Sequence, residues 1–205
     1  MEYFDFIDET IIEQTNDNSQ LNDMLNQLNI KNVYIIKKIK NKKDLEKQID
    51  VPKLKNINCK PIYLFEDLEQ INKIKNNIIM AQGNTPNDIL KLVNNKNIDF
   101  IYNPIGKQPI FDEGCAKLAK INGKKIVFSI NELLENPYVA IKQWNFIIKL
   151  LKKNKVDMIF ISDAKNTNEL IDMKIVSYFL LNFKLDENII NRFLNKTIIE
   201  KWEYA

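Results

Sequence analysis

This sequence predicts an α/β fold, arranged as a small or incomplete TIM-like (β/α) barrel of about seven strands. Three features lead there. Seven apolar runs of strand length recur, and several are continuous, as in Val33-Tyr34-Ile35-Ile36, Pro61-Ile62-Tyr63-Leu64-Phe65 and Met158-Ile159-Phe160-Ile161. Continuous apolar strands suit a parallel sheet covered on both faces, whereas a sheet wetted on one face alternates. Segments of helical spacing lie between the runs, so strand and helix alternate as in βαβ units. Glycine-rich phosphate loops are missing: the four Gly form no GxGxxG or GxxxxGK[ST] pattern, so a dinucleotide or P-loop site has no support. A doubly wound open sheet is the competing arrangement.

Taken in order, the strands are expected at Tyr3–Asp8, Asn32–Lys37, Lys60–Phe65, Asn77–Ala81, Ile98–Tyr102, Lys125–Ser129 and Asp157–Ser162. Helical spacing covers 18–29, 67–76, 86–95, 112–122 and 138–153. Thr85-Pro86 reads as an N-cap followed by Pro at the first helical position. Ser129-Ile130-Asn131-Glu132 reads as a helix start that Ser129 or Asn131 can cap. Asn188, Ile189, Phe193, Ile198 and Trp202 are spaced for a terminal helix packing on the body. The Pro residues are scattered and no linker or internal repeat interrupts the rhythm, so residues 1–205 read as one domain.

Composition narrows the chemistry. Hydrophobic residues make up 45% of the 205, enough for a sizeable core, and the formal charge is +3, mildly basic rather than polycationic. The chain holds 33 Ile, 29 Lys and 29 Asn but a single arginine, Arg192. A/T-rich coding explains that bias, and it puts Lys where chemistry favours Arg. Charge is uneven: residues 1–30 carry net −7 and residues 31–60 net +7, a hint of an interaction surface. There is no His, which excludes His-based acid/base work, His-containing triads and His metal ligation. Cys59 and Cys115 are too few for a zinc site and read as reduced thiols, so a cytoplasmic location is expected. Met1–Asp8 lacks a basic leader, and no window approaches the roughly 18 apolar residues of a membrane span.

Asp8, Glu9, Glu66 and Asp163 fall near the predicted C-terminal ends of strands, where barrel enzymes place their chemistry. A Mg²⁺ or Mn²⁺ site needs no His, so a carboxylate-metal hydrolase is one alternative function. Acids at strand-to-helix turns also cap helices without further purpose. Ser129 and Ser162 end strands without a base beside them. No catalytic residue, metal ligand or bound cofactor is assigned to this chain.

From Ile98 to Asn166 the pattern is more particular. It contains Ile98-Asp99 with Pro104, a helix with Ala116-Lys117-Leu118-Ala119, and the strand-loop Val127-Phe128-Ser129. Leu133-Leu134, Asn136-Pro137-Tyr138 and Ser162-Asp163-Ala164 follow in order. This ordered set resembles archaeal ribonuclease P protein component 3, the counterpart of the thirty-kilodalton ribonuclease P subunit of eukaryotes. The resemblance implies a TIM-like barrel and a non-catalytic subunit of a ribonucleoprotein endonuclease. In that enzyme the RNA, using Mg²⁺, removes the 5′ leader of precursor tRNA. It further implies partnership with ribonuclease P protein component 2 and with the catalytic domain of the ribonuclease P RNA. Other ribonuclease P proteins belong to the same assembly, and precursor tRNA is met indirectly. Glu113 stands where the family usually carries a His, and the family's Arg-x-Pro element is not evident between Asn166 and Ile175.

Lysine is the available phosphate ligand, acting as a point charge without the guanidinium fork. RNA contact is expected from Lys91, Lys107, Lys125, Lys142 and Lys165, of which Lys91 and Lys107 match basic positions of the family. Lys142, Lys149 and Lys153 also fall on one helical stripe, opposite Trp144, Ile148 and Leu151. A protein-partner surface is expected as an apolar patch, with the 138–153 helix one place for it. A protein-interaction module that binds no RNA is the second alternative, favoured by the modest net charge.

Overall fold

The computed structural model describes residues 3–15, 18–41, 43–44, 51–66, 71 and 78–194. Its strands are β1 (Tyr3–Asp8), β2 (Ile30–Ile39), β3 (Asn58–Phe65), β4 (Ile79–Ala81), β5 (Phe100–Tyr102), β6 (Lys125–Ser129) and β7 (Met158–Ile161). They form one sheet in chain order from β1 to β7, and pairing is parallel. The helices are α1 (Thr10–Gln14), α2 (Asn18–Gln27), α3 (Pro86–Asn94), α4 (Glu113–Ile121), α5 (Ile130–Glu135), α6 (Pro137–Asn154), α7 (Met173–Leu181) and α8 (Glu187–Leu194). The architecture is α/β and TIM-like, as the sequence predicts. Most of the expected helix over 67–76 lies outside the described residues, as do Asn77, Ile198 and Trp202.

The reason these segments are strands is visible in their burial. Every residue of β1, β4, β5, β6 and β7 is buried, so these strands show no solvent-exposed alternate. β1 and β6 match the expected bounds, while β2 extends two residues beyond at each end. Asn32 and Lys37, the expected limits of β2, are buried within it. Helix starts also follow local chemistry. Thr85 caps α3 in a capping box with Asp88, and Pro86 opens the helix. Ser129, not Asn131, caps α5: its hydroxyl accepts from the Glu132 N–H at 3.2 Å. Gly123 takes the left-handed turn (φ 65°) that ends α4, and the Lys124 N–H then reaches back to the Ala119 carbonyl at 2.8 Å.

Two compact units can be distinguished. One comprises Met1–Ile36, Asp50–Lys60 and Phe160–Ala205; the other Lys37–Ile49 and Pro61–Ile159. In the first, Phe6 packs between Phe4 and Tyr34, with ring centroids 5.9 and 5.0 Å away. In the second, Trp144 of α6 is fully buried and packs on Phe128 of β6 at 4.9 Å.

Within the first unit, β1 meets the segment following β7. Ile7 bridges Ala164 in parallel, the Asp8 N–H donates to the Ala164 carbonyl at 2.9 Å, and the Asp163 N–H to the Phe6 carbonyl at 2.9 Å. Asp5 sits at the centre of this seam with no exposed surface. Its Oδ1 accepts the Ser162 N–H at 2.7 Å and the Phe6 N–H at 2.8 Å, and its Oδ2 accepts the Ser162 hydroxyl at 2.5 Å. Burial pushes its carboxyl up to about 7, against the hydrogen bonds from Ser162 and Phe6, with the neighbouring Asp163 adding to the rise.

The linkage has one sign. Between about pH 4 and 7 the folded state keeps a proton that the unfolded chain has released, so this group's contribution falls as pH rises through that window and is flat above it. The loss is on the order of 4 kcal/mol, from about 1.4 kcal/mol per pH unit. Asp5→Asn keeps the Oδ1 acceptor and stays neutral. Urea titrations from pH 4.5 to 8.5 are expected to show the variant gaining on the native chain as pH rises; parallel curves would remove Asp5 as the titrating group.

Candidate functional site

The second unit places its chemistry-bearing side chains around the segment that leaves β5. Asn103 follows the strand with φ 36° and is buried. Its N–H donates to the Val127 carbonyl at 2.7 Å, turning the chain sharply out of the sheet. Its side-chain amide donates to the Glu132 carboxylate, which also accepts the Tyr102 hydroxyl at 3.0 Å. Further out, Gln143 of α6 grips Gly106 from both sides. The Gly106 N–H donates to Gln143 Oε1 at 3.1 Å, and Gln143 Nε2 donates to the Gly106 carbonyl. A Cβ at Gly106 would meet the Gln108 carbonyl oxygen and Ile110 Cγ2, each at 3.3 Å. Asp112 then caps α4 by accepting the Cys115 N–H at 2.7 Å. That bond is the main reason its carboxyl lies below the usual range.

Pinning this loop leaves a groove of about 360 Å³ between it and α6. Pro109, Ile110 and Phe111 line one wall, and Tyr138, Val139, Phe146 and Ile147 the other, with Gln143 between. Lys107 and Lys142 stand at the rim. Two of the wall residues are widely exposed, Tyr138 at 85% and Phe146 at 48%.

Of the five expected RNA-contacting lysines, Lys107 and Lys142 are therefore brought together, both exposed. Lys91 is exposed in the last turn of α3. Lys165 belongs to the first unit and is half-buried; its N–H donates to Glu169 Oε2 at 2.8 Å, and its carbonyl accepts the Thr10 hydroxyl. Lys125 is 6% exposed, and its ammonium lies 5.9 Å from the Phe100 ring centroid. Its side chain is turned inward. The adjacent Lys124 donates to the carbonyls of Asn95 and Ile98 at 2.6 Å each; burial lowers its pKa, with Asp99 opposing.

The helical stripe is divided in use. Lys153 donates to Glu113 at 2.8 Å, and Lys117 lies 3.4 Å from the same oxygen. Their hydrogen bonds and charge hold the Glu113 carboxyl below its usual range, Lys153 foremost. Glu113 thus ties α4 to α6.

The strand-end carboxylates are dispersed. Asp8 accepts the Thr10 N–H at 3.0 Å and the Thr10 hydroxyl at 2.9 Å. Glu9 precedes α1 without a side-chain cap bond, and Glu66 is exposed. Asp163 is buried in the left-handed region at φ 55°. Among the described residues no three His, Cys, Asp or Glu side chains gather as a metal site would require.

The sequence offers the 138–153 helix as one place for an apolar patch without picking out its residues, although α6 carries a signal for them. Ala140, Trp144, Ile147, Ile148 and Leu151 make the inward face. Tyr138, Val139, Ile141 and Phe146 then remain as apolar residues with no core position, and all four are exposed. A helix with a second apolar face is asking for a second partner.

No family model and no curated protein matches the chain. Several solved structures are similar, among them the following two. A chain in a cryo-EM structure of archaeal ribonuclease P with mature tRNA has a TM-score of 0.73 at 16% identity, over 93% of this chain and 86% of that one. A crystal structure of an uncharacterized protein has a TM-score of 0.60 at 10% identity, over 97% of this chain and 73% of that one. At such identities the likeness is one of fold.

Removing the clamp tests how the groove is held open. Gln143→Ala leaves the two half-buried Gly106 backbone groups without their side-chain partner and is expected to cost about 0.5–1.5 kcal/mol. Amide exchange at Gly106 should quicken while exchange in β6 stays slow. Unchanged Gly106 protection would show that the loop holds itself.

Proposed function

We propose that this chain is a protein subunit of ribonuclease P of the component 3 type, from an archaeal enzyme. It supports the RNA that removes the 5′ leader of precursor tRNA and does not cut RNA itself. The observation that carries this reading is the likeness, over nearly the whole chain, to a chain of archaeal ribonuclease P. The ordered motif set between Ile98 and Asn166 points the same way from the residues alone. The chemistry agrees: with no His and no gathered carboxylates among the described residues, catalysis is assigned to the RNA and its Mg²⁺. The chain's work is then electrostatic and steric. Lys91 and Lys165 are placed against phosphates, where each neutralised charge releases counterions. Protein component 2 is the partner with which it binds the catalytic domain of the RNA. A cytoplasmic location follows from that role; among the described residues no helix is long and apolar enough to cross a membrane.

Reconstitution is the decisive experiment. Component 2 and the ribonuclease P RNA are combined with and without this chain, and precursor-tRNA cleavage is followed as Mg²⁺ is lowered. The chain is expected to extend activity to lower Mg²⁺; an identical Mg²⁺ profile would defeat the assignment. In the same system, Lys91→Ala with Lys165→Ala should flatten the plot of log affinity against log salt by about 0.7–0.9 for each phosphate that is no longer neutralised. An unaltered slope would move RNA contact away from these two lysines.

A further inference from the structure

The groove beside α6 has a composition that a phosphate chain does not match. Its walls are Ile110, Phe111, Val139, Phe146 and Ile147, and the side-chain amide of Gln143 is already committed to Gly106. A small ligand needs a few converging polar groups to fix its orientation; besides Lys107 and Lys142 the lining offers only the Tyr138 hydroxyl. Nucleic-acid surfaces are more polar and more uniformly positive than this. Apolar exposure is not confined to the groove: Leu134 of α5 and Ile141 of α6 are exposed as well. Charge enters only at the rim, through Lys107 and Lys142. Neither ammonium has a carboxylate partner among the described residues, and no acidic side chain lines the groove.

We propose that this groove is the docking site of an acidic amphipathic protein segment, whose apolar anchor fills the cleft between the 106–111 loop and α6 while its carboxylates meet Lys107 and Lys142. Anchors in a desolvated pocket supply most of the affinity in such an interface, and rim charges select the partner and set its register. Two unpaired cations above an apolar floor reject basic and neutral segments and favour acidic ones. The loop is fixed before binding by Asn103, Gly106 and Asp112, so little ordering cost falls on association. This assignment goes beyond the ribonuclease P reading and takes Lys107 and Lys142 away from RNA.

The test uses the full chain. Short peptides displayed on phage are selected against the native protein, against Phe146→Ser, and against the double variant Lys107→Glu with Lys142→Glu. Native protein is expected to enrich one or two large apolar residues flanked by Asp or Glu. The charge-reversed variant should keep the anchor and turn the flanks to Lys or Arg, and should bind the original acidic peptides about tenfold more weakly. Phe146→Ser should lose both sets. Should that variant fail to fold, Tyr138→Ser at the most exposed wall position replaces it.

Recovery of no peptide, flanks indifferent to charge, or the same peptides on the Phe146→Ser protein would overturn the proposal. So would a labelled single-stranded oligouridine that binds in a Phe146-dependent way and displaces the peptides, which would make the groove a base-stacking site. The selection reads neither RNA processing nor component 2, so its failure and the failure of the reconstitution are separate results.

Discussion

The strand pattern imposes a constraint that everything else answers to: where covering both faces of a strand also excludes water from its edge, the backbone groups of that edge need protein partners. β1 is such a strand, buried at all six residues, so its second edge has to be paired. Ala164 accepts that edge through the Ile7 bridge and the Asp8 N–H. Asp5 completes the seam by collecting the Ser162 N–H and hydroxyl. A carboxyl buried beside Asp163 is a costly fastener, and its raised pKa measures that cost. It is also specific. Only one register of β1 against the segment after β7 brings Ser162 to Asp5, and a slip by one residue would turn every side chain to the other face.

A second constraint comes from composition. With four Gly in the chain, most left-handed turns fall to other residues. Asn29, Asn56, Asn103, Lys155, Asp163 and Lys184 all have φ between 36° and 63°. Asn and Asp tolerate this region because their short polar side chains bond locally. Lys155 and Lys184 have no such help, and each follows an apolar helix whose packing sets where the chain must turn. At Asn103 the turn has further consequences, since it aims the 104–111 segment toward α6 and so creates one wall of the groove.

These two constraints explain what was legible in the sequence. β1 and β6 could be placed residue by residue because continuous Ile, Val, Phe and Tyr runs end in polar residues that start helices. The cap at Thr85 was equally plain, being local, and that of α5 was narrowed to Ser129 or Asn131. β4 and β5 came out shorter than their apolar runs, at three residues each. Asp99 explains one limit: its carboxylate accepts the Ile79 N–H at 2.9 Å, taking the place of a ladder bond, and no propensity scale sees that. The tie between Asp5 and Ser162 was hidden because the partners are 157 residues apart. The lysines illustrate the same limit at the surface. Lys125 and Lys142 look alike in the sequence, yet one is tucked over Phe100 and the other stands at an apolar rim.

Where polar groups are already committed decides where function can reside. At the ends of the strands, Asp8 holds Thr10, Ser129 caps α5, Glu132 is shared by Tyr102 and Asn103, and Asp5 is taken by Ser162. Each of these side chains is committed to the fold, and redirecting one toward a substrate would leave a donor or acceptor unpaired. The side chains still available lie on the outside: Lys91, the apolar second face of α6, and the two rim ammonium groups. An architecture whose strand ends are consumed by its own fold is suited to recognition on its surfaces. The subunit role proposed for this chain, steadying an RNA beside another protein, would draw on such surfaces.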